Sequence, residues 1–259
     1  MSARTATLSA IHTLPLPGLP GIPLPSVPFG FGKKAEEDRL PVADPVIREM
    51  LGGGFPKGEL VELLTMTEAS GELSLILPAV ASLGRAFWVL PGVEFFTPCA
   101  PAMEACGLVL TEQLFVTPAA TEEAYWAAER AVAEGTFGAV VAWLKPLSPE
   151  EDRRAMRRLA LAARTSGTTV FVVRPLNLSG TATNADLRVA LSPAADGETR
   201  VRVTRAGFLA RTETAVVRLS PLSSLSPLTE PSAPVGKVQP FRPTHSTHPT
   251  DPSTPDNAA

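Results

Sequence analysis

The middle of the chain alternates short apolar runs with amphipathic stretches. The apolar runs are continuous, instead of apolar at every second residue, which is typical of strands that are buried on both faces. Turns rich in glycine and polar residues separate them. The predicted strands are 59–64, 86–90, 114–116, 137–144 and 168–173.

Helices are predicted between these strands, at 72–83, 97–106, 121–132 and 148–166. The clearest signal is the sequence Ser148-Pro149-Glu150-Glu151. It offers an N-cap serine, a proline at the first helical position and a glutamate at the third, which is the pattern of a capping box. Gly167 ends this helix, and Thr121 is the predicted N-cap of the helix before it.

After Asn184 the pattern changes to strands alone, at 186–191, 199–204 and 213–219, with a turn at Asp196-Gly197. Within 199–204, valines alternate with arginines, which predicts a strand with one buried and one exposed face. The predicted fold is therefore α/β, a doubly wound and mostly parallel sheet with a C-terminal antiparallel extension.

Proline is crowded at both ends of the 259-residue chain. Such stretches cannot continue a helix or a central strand. We therefore predict a Pro-rich disordered segment at 1–39, one folded core at 40–219 and a disordered Pro/Ser/Thr-rich tail at 220–259. The N-terminal sequence LPLPGLPGIPLPSVPFGFG could dock into an aromatic-lined groove as a polyproline helix or serve as a spacer.

Bulk properties exclude several functions. The formal net charge of -3 is too small to indicate a nucleic-acid or membrane partner by itself. All three histidines lie in the tails, which excludes a histidine base or histidine metal site in the core. Cys99 and Cys106 are predicted to be reduced, buried thiols. Without a membrane span, we expect a soluble, cytoplasmic protein.

Two stretches carry a resemblance to a known family. LGGGFPKGELVELL, at 51–64, resembles the segment that leads into the ATP-binding strand of RecA recombinases, and 185–210 resembles the antiparallel hairpin that closes the RecA core. The order of elements between them also matches RecA. This resemblance covers about 170 residues of the core, a usual size for one α/β domain, and it implies a RecA-like fold.

The resemblance places a phosphate-binding loop, GxxxxGK[ST], between the first strand and the first long helix. Here only its second glycine, Gly71, is kept. Glu72 replaces the lysine and Leu73 replaces the hydroxyl residue that binds Mg²⁺. A like-charge contact at about 4 Å costs about 1 to 4 kcal/mol, so we expect no nucleotide, no metal and no cofactor. The degenerate loop comprises Met66, Thr67, Glu68, Ala69, Ser70, Gly71, Glu72 and Leu73.

Other positions that the resemblance assigns to catalysis are also changed. Trp143 stands where the family has a magnesium-associated aspartate, and Arg174 stands where it has a glutamine that senses the γ-phosphate. Glu94 is offset by one residue from the catalytic glutamate. We therefore predict no catalytic residues and no enzyme activity.

A RecA-like core with a degenerate loop and proline-rich tails is similar to the ImuA family of translesion synthesis accessory proteins, and to the related SulA branch. The ImuA resemblance implies a role in the SOS response to DNA damage and association with the nucleoid. It implies binding to RecA and to an ImuB-like protein, and indirect contact with an error-prone replicative-type polymerase. Two alternatives stay open: a SulA-like inhibitor of cell division and a RecA-like ATPase with an atypical loop.

Two arginine clusters are candidate contacts for a partner or for DNA, since guanidinium groups suit carboxylates and phosphates. Solvated faces are the alternative explanation for both. The sequence Gln113-Leu114-Phe115 resembles a peptide that binds a sliding clamp, but we predict a buried strand there. The candidate arginines are Arg153, Arg157, Arg158 and Arg164 on the helix at 148–166, and Arg188, Arg200 and Arg202 on the C-terminal strands.

Overall fold

The computed structural model describes residues 38–66, 70–92, 97–205 and 212–219. The two predicted tails therefore lie outside the described residues, except for Asp38 and Arg39. The strands in these ranges are β1 (Arg39–Leu40), β2 (Phe55–Pro56), β3 (Leu60–Thr65), β4 (Ala86–Val89), β5 (Gln113–Val116), β6 (Ala139–Trp143), β7 (Thr169–Pro175), β8 (Leu187–Pro193), β9 (Thr199–Arg205) and β10 (Thr212–Val217). The α-helices are α1 (Pro45–Met50), α2 (Glu72–Leu83), α3 (Ala100–Ala105), α4 (Thr121–Glu134) and α5 (Pro149–Ser166).

Eight of these strands form one sheet, in the order β10-β9-β8-β3-β7-β6-β4-β5. The strands from β8 to β5 are parallel to one another, whereas β9 is antiparallel to both β8 and β10. The prediction of an α/β fold with a mostly parallel sheet and a C-terminal antiparallel extension is confirmed at this level. The short strands β1 and β2 pair in a separate antiparallel ribbon, which the sequence patterns did not predict.

Both faces of the parallel strands are covered. On one face, Leu63, Trp88 and Phe171 pack in a core cluster that includes residues of α1, α2 and α3. On the other face, Val140 and Val172 pack in a cluster with residues of α4 and α5. Since successive side chains of a strand point to opposite faces, burial on both sides requires continuous apolar runs.

Local chemistry explains the bounds of the longest helix. Ser148 is the N-cap of α5, Pro149 is its first residue, and Gly167 ends it in the left-handed conformation. Three acidic residues in the first turn stabilise the positive end of the helix dipole. The predicted bond from the Ser148 hydroxyl to a backbone amide does not form, because this hydroxyl donates to the Glu151 carboxylate instead.

Three local predictions are wrong. Ala120 is the N-cap of α4, and Thr121 is its first helical residue. Leu114 and Phe115 are exposed, because β5 is the last strand of the sheet and has a neighbour on one side only. Cys99 is exposed as the N-cap of the short helix α3, whereas Cys106 is half-buried; both are free thiols.

Candidate functional site

The loop that would bind phosphate lies between β3 and α2. Of its predicted residues, Thr67, Glu68 and Ala69 lie outside the described part of the chain, as does Glu94. Met66 points to solvent and is 62% exposed. Gly71 has φ 96° and precedes the first turn of α2. Gly71 thus adopts the left-handed conformation that favours glycine at this turn.

Glu72 is the first residue of α2, and its side chain is fully buried. It occupies the position that the RecA resemblance gives to the phosphate-binding lysine. An apolar contact accompanies it: a Cβ added to Gly71 would lie 3.0 Å from Cδ1 of Leu219, which follows β10. The start of α2 is therefore bordered by a carboxylate and a leucine, and neither group stabilises a triphosphate.

A buried ionic network lies on the α4/α5 face of the sheet, and its centre is Glu62 in β3. The Glu62 carboxylate accepts hydrogen bonds from Nη1 of Arg174 (3.1 Å), from Nε of Arg188 (2.8 Å) and from the Thr183 hydroxyl (2.6 Å). All of these donors come from distant parts of the sequence. Glu62 has no exposed surface, so these bonds replace its contacts with water.

Arg174, near the end of β7, extends the network to the helices. Its Nη2 donates to Asp152 in the first turn of α5, and the Tyr125 hydroxyl of α4 donates to the same carboxylate oxygen at 2.8 Å. Burial lowers the pKa of Arg174, but its hydrogen bond to Asp152 and the charges of Asp152 and Glu62 outweigh this effect, so the pKa lies above its ordinary value. Burial raises the pKa of Tyr125, and the hydrogen bond to Asp152 adds to the rise.

The network has two carboxylates, Glu62 and Asp152, and two guanidinium groups, Arg174 and Arg188. It is therefore electrically balanced. Arg174 could reach a phosphate only by giving up its ion pairs, which is costly in a buried site. Glu62 has no exposed surface from which to act as a general base, and the partly exposed Asp152 is held by Arg174 and Tyr125.

Arg188 corrects one of the sequence-based predictions. We predicted it on an exposed basic face, but it is 6% exposed and donates to Glu62 and to the backbone oxygen of Thr181 (2.7 Å). The reason is the register of the two strands, because Arg188 of β8 pairs with Glu62 of the neighbouring strand β3. Arg188 is part of the core and cannot serve as a surface contact.

The other candidate arginines are exposed. In the sheet register, Arg202 pairs with Ala190 and Arg200 pairs with Ser192, on the same face as Arg188. This is the face that α5 covers at β3 and β7. On β9, however, the same face is exposed at Arg200 and Arg202. The antiparallel extension therefore carries two exposed arginines on this face.

The candidate arginines of α5 have local partners of their own. Arg153 lies where α5 is tied to the chain leading into β8, since the Asn184 amide donates to the Arg153 backbone oxygen at 3.2 Å. Arg164 is paired with Asp186, Arg158 pairs with Glu129 of α4 at 2.9 Å, and Arg157 is exposed. We call the exposed pair Arg200 and Arg202 on β9 the basic shelf.

Sequence reasoning missed Glu62, Asp152 and Tyr125. A usable signal existed, because β3, β7 and β8 each carry one charged residue in an otherwise apolar run, at Glu62, Arg174 and Arg188. Buried charges in neighbouring strands need partners of opposite sign. The sequence does not say which strands are neighbours, so this pairing was not predicted.

Cavities border this region on both sides of Arg174. One of about 280 Å³ lies between the loop before α5 and residues 181–184, and one of about 120 Å³ is lined by Met66, Trp143 and Lys145. Among the described residues, no group of three His, Cys, Asp or Glu side chains is arranged to hold a metal ion. In the same ranges, no helix combines the length and apolar character needed to cross a membrane.

Comparison with known proteins assigns no family to this fold and site. No family model matches the chain, and no curated protein matches it.

Proposed function

We propose that this chain is a non-catalytic accessory protein of SOS-induced, error-prone translesion DNA synthesis, acting in the manner of the ImuA family. In this proposal it binds RecA, an ImuB-like polymerase homologue, or both, and contacts the error-prone replicative-type polymerase indirectly. The sheet, with its parallel strands and closing antiparallel extension, agrees with a RecA-like core. The observation that carries the proposal is the buried Glu72 at the start of α2.

The physical argument against ATPase activity is electrostatic. A triphosphate needs cations and hydrogen-bond donors where its negative charge lies. At the corresponding turn this chain has Glu72, and the nearby Arg174 is held by Glu62 and Asp152. We infer that evolution kept the scaffold for docking and removed the nucleotide chemistry.

A calorimetric titration with Mg-ATP tests the absence of nucleotide chemistry. We expect no binding heat at millimolar nucleotide and no phosphate release above the buffer rate. Saturable binding with turnover would refute the proposal and favour an ATPase with an atypical loop.

Copurification tests the partners. With the full chain as bait, we expect RecA and an ImuB-like protein from the same organism to be retained after a moderate-salt wash. Loss of both would overturn the proposed role. Filamentous growth on overexpression, relieved by mutations in a tubulin-like division protein, would instead support a SulA-like inhibitor.

The basic shelf is the proposed contact for an anionic partner surface, with the DNA backbone as the specific prediction. The double variant Arg200→Glu/Arg202→Glu should weaken single-stranded DNA binding at least tenfold in fluorescence anisotropy. It should also flatten the plot of log affinity against log salt by about 1.4, since each single-strand phosphate contact contributes about 0.7. The control is Arg130→Glu/Arg154→Glu, two exposed arginines outside the shelf.

Equal DNA affinity for the chain and the shelf variant would eliminate the shelf as the DNA contact. Retention of RecA by the same variant would then decide whether the shelf binds a protein. A shelf variant that keeps both interactions would remove these arginines from the proposal altogether.

A further inference from the structure

Strand β5 forms one end of the eight-stranded sheet, and in the described part of the chain no strand pairs with its outer edge. Such an edge can pair with a strand of another molecule unless charged residues, proline or a covering element protect it. The four residues of β5, QLFV, carry no charge. Leu114 and Phe115 are 49% and 38% exposed, and successive residues of a strand point to opposite faces. The edge therefore offers an apolar side chain on each face of the sheet.

The exposed side chains of β5 are held in place by the neighbouring structure. The Phe115 ring stacks on Trp88 of β4, with the ring centroids 5.7 Å apart and the planes 20° from parallel. The Gln113 amide accepts a hydrogen bond from the Trp88 indole at 3.1 Å and donates to the backbone oxygens of Gly84 and Val109. A rigid edge loses little conformational entropy when a second strand binds to it.

The stretch that can pair is centred on Phe115. A 3₁₀ turn, Leu110–Glu112, ends just before it, and Pro118, which has no amide hydrogen to donate, follows it. Residues 113–117 therefore remain. When two copies of this stretch run antiparallel about a two-fold axis, Phe115 lies opposite its counterpart, and Leu114 lies opposite Val116 on the other face of the sheet. All the cross-strand pairs in this register are uncharged, so no like charges oppose each other.

We propose that a second copy of this chain occupies the edge, with its own β5 antiparallel to the first, in a two-fold symmetric dimer that has one continuous sheet. A two-fold interface needs a surface that complements itself, and residues 113–117 do so in the register centred on Phe115. The two Phe115 rings extend the stack that Trp88 begins, and aromatic cross-strand pairs stabilise a sheet. The basic shelf on β9 lies towards the opposite end of the sheet and stays accessible.

The length of the paired stretch sets the expected affinity. Five residues of a strand extend over about 17 Å, which is short for an interface. Complexes that bury less than about 1,200 Å² in total are typically weak. We therefore expect a transient dimer, with a dissociation constant on the order of 10 to 100 μM.

Sedimentation velocity of the full chain tests the dimer. Phe115→Lys places two ammonium groups opposite each other at the two-fold axis, so dimerisation should weaken at least about tenfold. The control is Val109→Lys, because Val109 is also exposed but lies outside residues 113–117, and its dimerisation should match that of the unaltered chain. Circular dichroism checks that both variants are folded. An unaltered chain that stays monomeric up to about 500 μM, or a folded Phe115→Lys variant with unchanged dimerisation, would overturn the proposal.

Disulfide trapping tests the register and leaves Phe115 intact. In a background with Cys99→Ser and Cys106→Ser, the variants Leu114→Cys and Val116→Cys, one of them enlarged by a tag, are oxidised separately and as a mixture. Directly opposite residues have Cβ atoms about 4.5 to 5.5 Å apart, close to the spacing in a disulfide. Leu114 and its own counterpart are offset by two residues, which is too far.

We expect the disulfide between the two different variants to form at least about fivefold faster than that between identical copies. This result would support the register centred on Phe115 even if Phe115→Lys failed to fold. Equal rates in the mixture and in the separate variants would overturn the proposed pairing.

Discussion

Removing Glu62 should destabilise the protein far more than removing any surface charge. Glu62→Gln keeps the size of the side chain but leaves Arg174 and Arg188 buried with no full negative charge between them. Breaking a buried ion pair by removing one partner costs about 3 to 5 kcal/mol. With an m-value of about 2 kcal/mol per molar urea, the unfolding midpoint should fall by about 1.5 to 2.5 M.

The control is Glu150→Gln, because Glu150 also pairs with two arginines, Arg153 and Arg154, but is 60% exposed. Exposed pairs contribute about 0 to 1 kcal/mol, so its urea midpoint should fall by less than about 0.5 M. Equal shifts for the two variants would refute the reasoning.

A double variant separates the effect of charge from that of packing. Glu62→Met/Arg188→Met removes one carboxylate and one guanidinium group, and Arg174 keeps its ion pair with Asp152. Apolar replacement of a complete buried ion pair is often neutral or stabilising, because no charge remains without a partner. We therefore expect the double variant to be more stable than Glu62→Gln. The opposite order of urea midpoints would mean that the packing of the long side chains, and not the charge balance, holds this part of the sheet.

Three further predictions concern separate parts of the molecule. Gly54→Ala should lower the free energy of unfolding by more than about 2 kcal/mol. The reason is that Gly54 has φ 149° and an added Cβ would lie 2.0 Å from the Leu40 backbone oxygen. The control in the same urea melts is Gly180→Ala, where an added Cβ meets nothing within 4 Å. Tyr125 is the single tyrosine of the chain, and burial raises its pKa. The folded state therefore holds the phenol proton more tightly than the unfolded chain. The stability that results is complete below pH about 10 and is lost as the pH rises further. Absorbance at the tyrosinate band should therefore titrate at higher pH in the native protein than in urea, and identical midpoints would contradict the buried hydrogen bond. Leu114→Lys should raise the protein concentration at which light scattering first detects association, because β5 is an uncharged sheet edge with an exposed leucine. An unchanged threshold concentration would show that this edge does not associate.

The sequence alone determined the order of the main elements from β3 to β10. Helix and strand periods, caps and turn residues act within a few residues of one another, so the bounds of α2 agree with the prediction and β3 and β7 begin one residue later than predicted. The sequence also determined that residue 72 is a carboxylate, at the position that the RecA resemblance gives to a lysine, because the identity of a residue needs no tertiary information. The burial of that carboxylate was not predicted.

Only the tertiary structure decided which strands are neighbours. Glu62 meets Arg174 and Arg188 across separations of 112 and 126 residues, and no local pattern encodes such a pairing. For the same reason β5 became an exposed edge and Arg188 became a core residue. Local propensity sets what each segment becomes, whereas the order of the strands in the sheet sets which side chains are buried together and which remain in contact with water.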